Sequence, residues 1–439
     1  MATGGNNLID RLQAEHAAVA ERLPSAAHAG ARRAALAQLV ADGLPDNREE
    51  NWRYANLRAL GRASFVSPDV ANAVTTQELP PPLPGFDRYV FVDGRLAAGL
   101  SADTTGDVSS GIAGRPMRST DAAAAREARF ALVSDAFAVD GLSLGLPGRN
   151  DAIKSAARRQ IEVLFVATAD ASAGSSYPRL AIDLAAGGEL QLVERHISVG
   201  TAAALVNGRI DIELARDATL DHVRLQQLGA RCTLIETLAA RLATNAQYRL
   251  HCIANGAAAS RSTLHVSLEG QGARHELTAG CVASGNQTLD TYAVVDHAAP
   301  GAMTRELFRG IATGRGRVAF NGKMIVRKNA HGADSQQMLK GLLAGPEAEI
   351  DLRPQLEIYT DDVRASHGAT TGKLDDAMLF YLLSRGIERE MAHSLLKWAF
   401  IEEVLVGIKP ESLRRSLEAE LAGQFKDIAA LDGLLGGAK

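Results

Sequence analysis

One histidine, His367, stands where the chain passes from a strand-like pattern to a helical one. It lies in the run SHGAT, and Glu357 belongs to the strand-like segment before it. A neutral imidazole can hold a metal ion, and a carboxylate can orient the ring through its other nitrogen. Because a glycine-containing junction leaves room for a partner, His367 is a candidate metal ligand and Glu357 a candidate supporting residue. The plainer alternative is a turn histidine near an ordinary strand-face charge.

The other polar residues give weaker signals for chemistry. Asp361 and Asp362 are adjacent, so on a strand their side chains would point to opposite faces, which is poor geometry for shared acid–base work. Further histidines along the strand-rich region are expected to be surface groups or satisfied core groups: His196, His222, His251, His265, His275 and His297. The cysteines, with no CxxC pair, are expected to be small buried residues: Cys232, Cys252 and Cys281.

Common enzyme motifs are missing from the sequence. Gly322-Lys323 lacks both the upstream glycine and the following Ser or Thr of a P-loop, and there is no HExxH or GxSxG. Three widely spaced cysteines argue against a structural zinc site or a four-cysteine iron–sulfur site within the chain. A chain of 439 residues without a nucleotide or nucleophile motif is often not an enzyme by itself.

Composition excludes several classes of partner and favours a cytoplasmic location. The formal charge is −4 and no block of Lys or Arg suggests a nucleic-acid or acidic-membrane surface. The N-terminal residues lack the charged and apolar regions of a secretory signal, and no run of about 18 apolar residues suggests a membrane span. Cysteines without a disulfide pattern fit a reducing compartment.

A strand-rich body must position these side chains. The spacing of apolar residues predicts helices in residues 1 to about 70 and short strands in residues 161 to 358. The prolines from Pro80 to Pro84 predict a loop or linker. Small-residue pairs predict turns at Asp93-Gly94, Gly187-Gly188, Asn207-Gly208, Asn255-Gly256, Gly270 to Gly272, Gly285-Asn286 and Asn321-Gly322. A sandwich, a barrel and a β-helix all satisfy this pattern, and the long unbroken strand region favours a β-helix. The last coil of a β-helix needs a cap or a partner.

The C-terminal tail reads as helices. Asp375-Asp376 start the first, Gly386 ends it, a second covers about 388 to 406, and a third covers 411 to 425. The second helix is apolar around more of its circumference than one buried face needs, so either the tail folds on itself or part of it meets another protein. The predicted division is 1–155 helical and mixed, 156–368 β-helix core, and 369–439 helical domain.

Several short runs, taken together, resemble the SufB/SufD family of iron–sulfur cluster assembly proteins. Toward the C-terminus these are NGK (321–323), DSQQ (334–337), PQLEI (354–358), DDV (361–363), SHGAT (366–370) and FYLLSRG (380–386). Upstream, they are ENWRY (50–54), PRL (178–180), ERH (194–196) and LDHVRLQ (220–226). The resemblance covers most of the chain, is strong from 317 to 408, and is weak from 70 to 150. Ala365, where SufB-like relatives carry Cys, and the N-terminal helical region make the chain most similar to the SufD branch.

The resemblance implies a fold, partners and a site. The fold would be a mainly β chain, with a right-handed parallel β-helix core between an N-terminal helical region and a C-terminal helical domain. The ends of the β-helix would pair with a SufB-like subunit. A SufC-like ABC-type ATPase would dock on the C-terminal helices, with Leu395, Trp398, Phe400 and Val404 as candidate contacts.

The implied site is centred on His367, as a ligand of iron or of a nascent cluster. Since Ala365 offers no thiol, soft ligands for iron and sulfide would come largely from the SufB-like subunit. No cofactor is expected to stay tightly bound to this chain alone, and iron or an iron–sulfur cluster would be present only transiently in the complex. The chain would then be a scaffold and no enzyme.

Two other functions fit the same pattern of strands. The first is a cytoplasmic β-helix carbohydrate-active enzyme, which needs convergent acids and aromatics along a groove; an aromatic content of 5% counts against it. The second is an iron-independent homodimeric scaffold, in which two copies of the chain pair their open ends. The mass of the assembly formed with candidate partners would separate the second from the SufB/SufD reading.

Overall fold

The structure, a computed structural model, describes residues 4–24, 28–69, 71–104, 106–112, 126–148, 158–168 and 170–422. Its α-helices are α1 (Gly4–Val19), α2 (Ala29–Asp42), α3 (Arg129–Phe137), α4 (Asp376–Ser384), α5 (Arg389–Glu402) and α6 (Glu411–Ala422). None of the helices in these ranges is both long and apolar enough to cross a membrane.

The strands follow one another with short connections through most of the chain. The first ten are β1 (Asp87–Val92), β2 (Arg95–Leu96), β3 (Val108–Ser110), β4 (Leu142–Leu146), β5 (Arg159–Ala167), β6 (Asp170–Ser176), β7 (Arg179–Leu184), β8 (Glu189–Ser198), β9 (Ala203–Leu214) and β10 (Thr219–Gln227). The rest are β11 (Thr233–Leu242), β12 (Gln247–Asn255), β13 (Ala259–Leu268), β14 (Arg274–Ala283), β15 (Thr288–His297), β16 (Met303–Ala312), β17 (Arg317–Val326), β18 (Ala333–Leu343), β19 (Glu349–Ile358) and β20 (Val363–Gly372).

The strands form a parallel β-helix, which confirms the fold predicted from the sequence. Sheet A has the order β2-β1-β5-β8-β10-β12-β14-β16-β18-β20, and sheet B the order β19-β17-β15-β13-β11-β9-β7-β4-β3. From β8 onward, successive strands alternate between the sheets, and each pairs in parallel with the strand two positions along the chain. The coils number about seven. Strands of the two sheets run from Asp87 to Gly372, so they extend beyond the predicted 156–368 range at both ends.

Alternation along each strand builds the interior. One residue of each coil recurs at the same position in sheet B, giving an aliphatic stack of Ile182, Ile212, Ala240, Val266, Val295 and Met324. All of these side chains are buried. Burying a large aliphatic side chain contributes about 1.5–3 kcal/mol, so a stack of this kind stabilises the fold substantially.

Two of the predicted turns lie inside strands, and Gly322 has a packing role that explains why a glycine is present there. Asn207-Gly208 lies inside β9 and Asn321-Gly322 inside β17. A Cβ on Gly322 would lie 2.1 Å from Nε2 of Gln337, so this glycine makes room for a side chain that crosses the interior. By contrast, the Asp93-Gly94 hairpin is confirmed, with φ of 48° and 82° between antiparallel β1 and β2.

The helices cover the outer faces of both sheets. Around the outside of sheet B, an N-terminal cluster includes Leu12, Leu39, Trp52, Phe65, Phe130, Phe137, Tyr177, Leu205 and Ile235. Outside sheet A, the tail packs its own apolar side chains on the solenoid, joining Trp398, Ile401, Val404, Leu405 and Leu417 to Val193, Val223, Leu225, Ile253, Ile311 and Leu342. The wide apolar arc of α5 is therefore covered largely by the chain itself.

Candidate functional site

Within the part of the chain that the structure describes, the last coil of the solenoid is open. Strand β20 ends the order of sheet A and β19 ends that of sheet B, so each is paired on one side only. The residues of β20 from Ser366 to Gly372 are exposed, whereas the strand before it in sheet A is mostly buried on alternate positions. This end therefore presents unpaired backbone N–H and C=O groups as well as side chains, as the sequence predicts for a β-helix terminus.

His367 lies in the middle of β20, five residues before the strand ends at Gly372. The predicted strand-to-helix junction at His367 is thus wrong, and so is the plainer alternative of a turn histidine. Helix α4 begins only after Asp375, whose side chain accepts from the backbone N–H groups of Ala377 and Met378 at 2.8 and 3.1 Å. His367 pairs in register with Gln337, which faces the interior. Its imidazole therefore belongs to the inward face of a coil that no residue in the described ranges covers, and it is exposed.

Glu357 is placed apart from His367. Glu357 lies on β19, where Leu352 packs against the core. Because Glu357 and Leu352 are an odd number of residues apart, their side chains point to opposite faces of the strand, and Glu357 lies on the outer face. Its carboxylate lies 2.7 Å from Nζ of Lys323 and accepts from the Tyr359 hydroxyl at 3.5 Å. The structure therefore corrects the hypothesis that Glu357 orients the histidine, because its partners are on the outside of sheet B. Asp361 and Asp362 are exposed in the bend between β19 and β20.

A second polar cluster is buried midway along the solenoid. Glu194 accepts from Arg224 at 3.1 Å, and its two oxygens lie 2.5 Å from His196 Nε2 and 3.0 Å from His222 Nε2. Arg224 also pairs with Glu236. Burial opposes ionisation of Glu194, but Arg224 and the two histidines outweigh it and hold the pKa of this carboxyl well below its usual value. Burial likewise lowers the pKa of His222, against the pull of Glu194.

Part of this cluster has the composition of a metal site. Glu194, His196 and Glu236 place ligand atoms within 4.8 Å of one another, the only such trio that the described ranges bring together. However, the Arg224 guanidinium already binds both carboxylates. A cation would have to displace a buried arginine with two hydrogen-bonded partners, at a cost of several kcal/mol. The arrangement is that of an internal ion-pair network, and it accounts for Glu194 and His196 of ERH and for His222 and Arg224 of LDHVRLQ. Arg195 of ERH instead donates to Glu162.

The histidines and cysteines of the solenoid have structural surroundings. His222 and His275 contact Tyr248, His297 contacts Thr304, and His251 lies against the tail at Gly407. Burial raises the pKa of Cys252 and of Cys281 to about 12, so both remain thiols, which are poor metal ligands. The buried Cys232 has a raised pKa for the same reason.

The four tail residues predicted to bind a partner lie mostly inside the chain. Trp398 is 6% exposed and Val404 1% exposed, both within the cluster on sheet A, and Leu395 and Phe400 pack against it while partly exposed. Arg309 of β16 lies 5.8 Å from the Phe400 ring. Of the two alternatives that the sequence leaves open for the tail, folding on the chain itself therefore accounts for Trp398 and Val404. Partner binding by the four stays a prediction.

Sequence reasoning missed two groups of residues at this end of the molecule. The exposed apolar side chains of the tail belong to α4: Met378 is 58% exposed, Phe380 72% and Tyr381 56%. Inside the solenoid, Glu306 and Gln337 are buried at the positions of β16 and β18 that stack beneath His367. The apolar helix could have been found from the run FYLL. The two interior residues could not, because their alignment depends on the length of each coil.

Comparison with known proteins shows the family to which this chain belongs. Residues 165–400 match the family model described as the SufBD core domain of the SUF system for iron–sulfur cluster assembly. The chain is 30% identical over 397 residues to the iron–sulfur cluster assembly protein SufD of Escherichia coli K12, covering 88% of this chain and 90% of that protein. It is 28% identical over 400 residues to a SufBD family protein of Synechocystis, with 85% and 86% covered. The chain therefore belongs to the SufB/SufD family of iron–sulfur cluster assembly proteins and is SufD-like.

Proposed function

We propose that this chain is a scaffold subunit that supports iron acquisition and cluster formation at an interface with a SufB-like subunit, and that it is no enzyme by itself. The observation that carries the proposal is the placement of His367. It is an exposed imidazole, on the inward face of an edge strand, at the end of a solenoid that none of the described residues caps. A partner that extends the solenoid would enclose this side chain together with its own.

His367 supplies one nitrogen ligand to the cargo. In the described part of the chain, no two further His, Cys, Asp or Glu groups join it in a trio of ligand distance. Ala365, two residues earlier on the same face of β20, offers no thiol. Iron or a nascent cluster therefore rests here only while the partner supplies the remaining, softer ligands. No cofactor stays tightly bound to this chain alone.

The partner pairs with the open edges. Strands β19 and β20 offer two sets of unpaired backbone groups, and a SufB-like subunit with a similar solenoid is the complement that satisfies them. Two copies of this chain would satisfy the same groups, which is the homodimeric alternative. The carbohydrate-active alternative finds no groove of convergent acids at this end, since Asp361 and Asp362 are exposed in a bend and Glu357 is paired with Lys323.

An ABC-type ATPase docks on the C-terminal helices. The exposed apolar residues of α4 are the best-placed contacts, next to the predicted contacts of α5. Movement of the tail would reach the cargo site through Arg309, which is 1% exposed and donates to Glu403 at 2.8 and 2.5 Å. Arg309 lies on β16, two strands from β20 in sheet A. The three unpaired cysteines fit the cytoplasmic location that is part of this proposal.

The test uses the complex co-expressed with its SufB-like and SufC-like partners. His367→Ala is compared with His331→Ala, a matched control that removes another exposed imidazole, which contacts Thr360 outside the strands. Iron and acid-labile sulfide are measured per mole of complex. The proposal expects a several-fold lower content in His367→Ala only. Equal contents in wild type, His367→Ala and His331→Ala would refute the assignment of His367.

A further inference from the structure

Three polar side chains stack in register toward the open end of sheet A. Glu306 of β16 pairs with Gln337 of β18, and Gln337 pairs with His367 of β20. Glu306 and Gln337 are each two residues from a core side chain of their own strand, Phe308 and Leu339. Since residues two apart share a face, the whole column faces the interior, and only its last member reaches solvent.

Among the residues that the structure describes, the buried carboxyl group of Glu306 has one hydrogen-bond partner, the amide of Gln337. Glu306 is 4% exposed, and its neighbour in the preceding coil is Leu277, a core residue. The arginines of its own strand are used elsewhere, since Arg305 pairs with Asp334 and Arg309 with Glu403. Burial raises the pKa of Glu306 to about 7, and the amide of Gln337 lowers it only in part.

Gln337 is held between the carboxyl group and the end of the solenoid. It is 3% exposed, and its Nε2 donates to Glu306 Oε2 at 2.5 Å. The amide packs on the backbone of Gly322 across the interior, where any Cβ would collide with it. Its Oε1 is buried and has no hydrogen-bond partner among the described residues. In a planar amide, Nε2 and Oε1 point in different directions, so an Nε2 that donates to Glu306 leaves Oε1 turned away from this carboxylate. The other register partner of Gln337 in sheet A is His367 of β20.

We propose that Glu306 is a positioning residue for His367 and acts on it through Gln337. The carboxylate fixes the Gln337 amide, so that Oε1 accepts the proton of one ring nitrogen when the exposed His367 ring turns toward it, which leaves the lone pair of the other nitrogen for the cargo. A histidine that binds a metal usually donates its second ring N–H to such an oxygen, which sets the tautomer and the ring orientation. Without the carboxylate, the amide could turn over and present its NH₂ group instead, which favours the other tautomer.

The tautomer of the His367 imidazole tests the positioning role of Glu306 and Gln337 without any metal. In the chain labelled with ¹⁵N-histidine, ring nitrogen shifts report which nitrogen of His367 carries the proton, and His367→Ala assigns the signals. For the neutral imidazole, the expected result is one dominant tautomer in wild type and a mixture in both Glu306→Gln and Gln337→Met. Gln336→Leu is the matched control, because this neighbouring glutamine is exposed on the outer face and should leave the tautomer unchanged.

A second readout links the column to the cargo and rests on the proposed function. In the complex with the SufB-like partner, Glu306→Gln should weaken Co²⁺ binding, used as a probe for Fe²⁺, by roughly 10-fold or more, as is typical for loss of such a supporting contact. If His367→Ala leaves Co²⁺ binding unchanged, the proposed function fails while the tautomer result still decides the column. If Glu306→Gln and Gln337→Met, folded by circular dichroism, both keep the wild-type tautomer, the positioning role is refuted.

Discussion

Replacing Glu306 by Gln should make the protein more stable at neutral to basic pH. The substitution keeps the shape of the side chain, and the new amide can hydrogen-bond with Gln337 in either orientation, but it removes a buried group that ionises. The folded-state pKa of Glu306 is about 7, raised from its ordinary value of 4.5 by burial. Since each unit of pKa difference corresponds to about 1.4 kcal/mol, the ionised carboxylate costs roughly 3 kcal/mol of folding free energy above pH 7.

The dependence on pH has a definite sign. A carboxyl group whose pKa is raised in the folded state binds its proton more tightly there than in the unfolded chain. Its contribution to stability is fully present below the unfolded value of 4.5 and is lost as the pH rises through about 7. The stability gained by Glu306→Gln should therefore be roughly 2–3 kcal/mol at about pH 8 and close to zero at about pH 4.

Equilibrium urea unfolding at several pH values measures this difference, provided that the slope m is the same in both proteins. The matched control is Glu194→Gln, another buried carboxyl group, but one that Arg224 and two histidines hold ionised. Removing that charge leaves Arg224 partly unpaired and should destabilise the protein at about pH 8 by roughly 3 kcal/mol or more. A Glu306→Gln variant that is no more stable than wild type at about pH 8, or equally stabilised at all pH values, would refute the reasoning.

Three further substitutions test the packing and the docking surface. Trp398→Ala should cost roughly 3–5 kcal/mol in urea unfolding, because the ring is buried between the tail and sheet A; a loss below 1 kcal/mol would contradict that packing. Gly322→Ala should cost roughly 1–3 kcal/mol, since the new methyl group meets the Gln337 amide, and unchanged stability would mean that the interior has spare room there. Phe380→Ser should leave the unfolding free energy within about 0.5 kcal/mol, as this side chain is 72% exposed, while lowering capture of the SufC-like ATPase several-fold in a pull-down. Undiminished capture would remove α4 from the docking surface.

The fold could be predicted from the sequence because each strand of a β-helix alternates inward-facing apolar residues with outward-facing ones, and the strands follow one another along the chain. Val318 and Phe320 alternate with other residues as the interior requires, and Asp375 with Gly386 marks the ends of the first tail helix. The pair Asn321-Gly322 led to a wrong turn prediction, because a glycine is favoured both in a hairpin turn and where a side chain packs directly on the backbone. Only the position of Gln337, in the next coil, decides between them.

The candidate site could be predicted only in part. His367 stood out by its place in the sequence, but its supporting residues did not. Glu357 is closer to it in the chain, yet the alternation of β19 turns this carboxylate to the outside, toward Lys323. Glu306 and Gln337 come under His367 because successive coils, of unequal length, bring residues 306, 337 and 367 into register. Single-residue differences in loop length decide such a match, and the sequence pattern does not resolve them.

The apolar helix of the tail shows a similar limit. The excess of apolar residues in α5 indicates cover on more than one side, but periodicity alone does not say whether the cover is the same chain or another protein. The outer face of sheet A provides it through Val223, Ile253 and Leu342, whose spacing in the sequence is that of the coils. The exposed face is instead that of α4, a helix of only nine residues.

Native mass spectrometry of the co-expressed chains, with iron and sulfide measured on the same sample, tests the central claim most directly. The account predicts a mixed complex of this chain with its SufB-like and SufC-like partners that carries an iron–sulfur cluster. If the chain stays alone, or pairs only with itself and holds no iron in the presence of both partners, the claim that it is a scaffold for cluster assembly at a shared open end is contradicted.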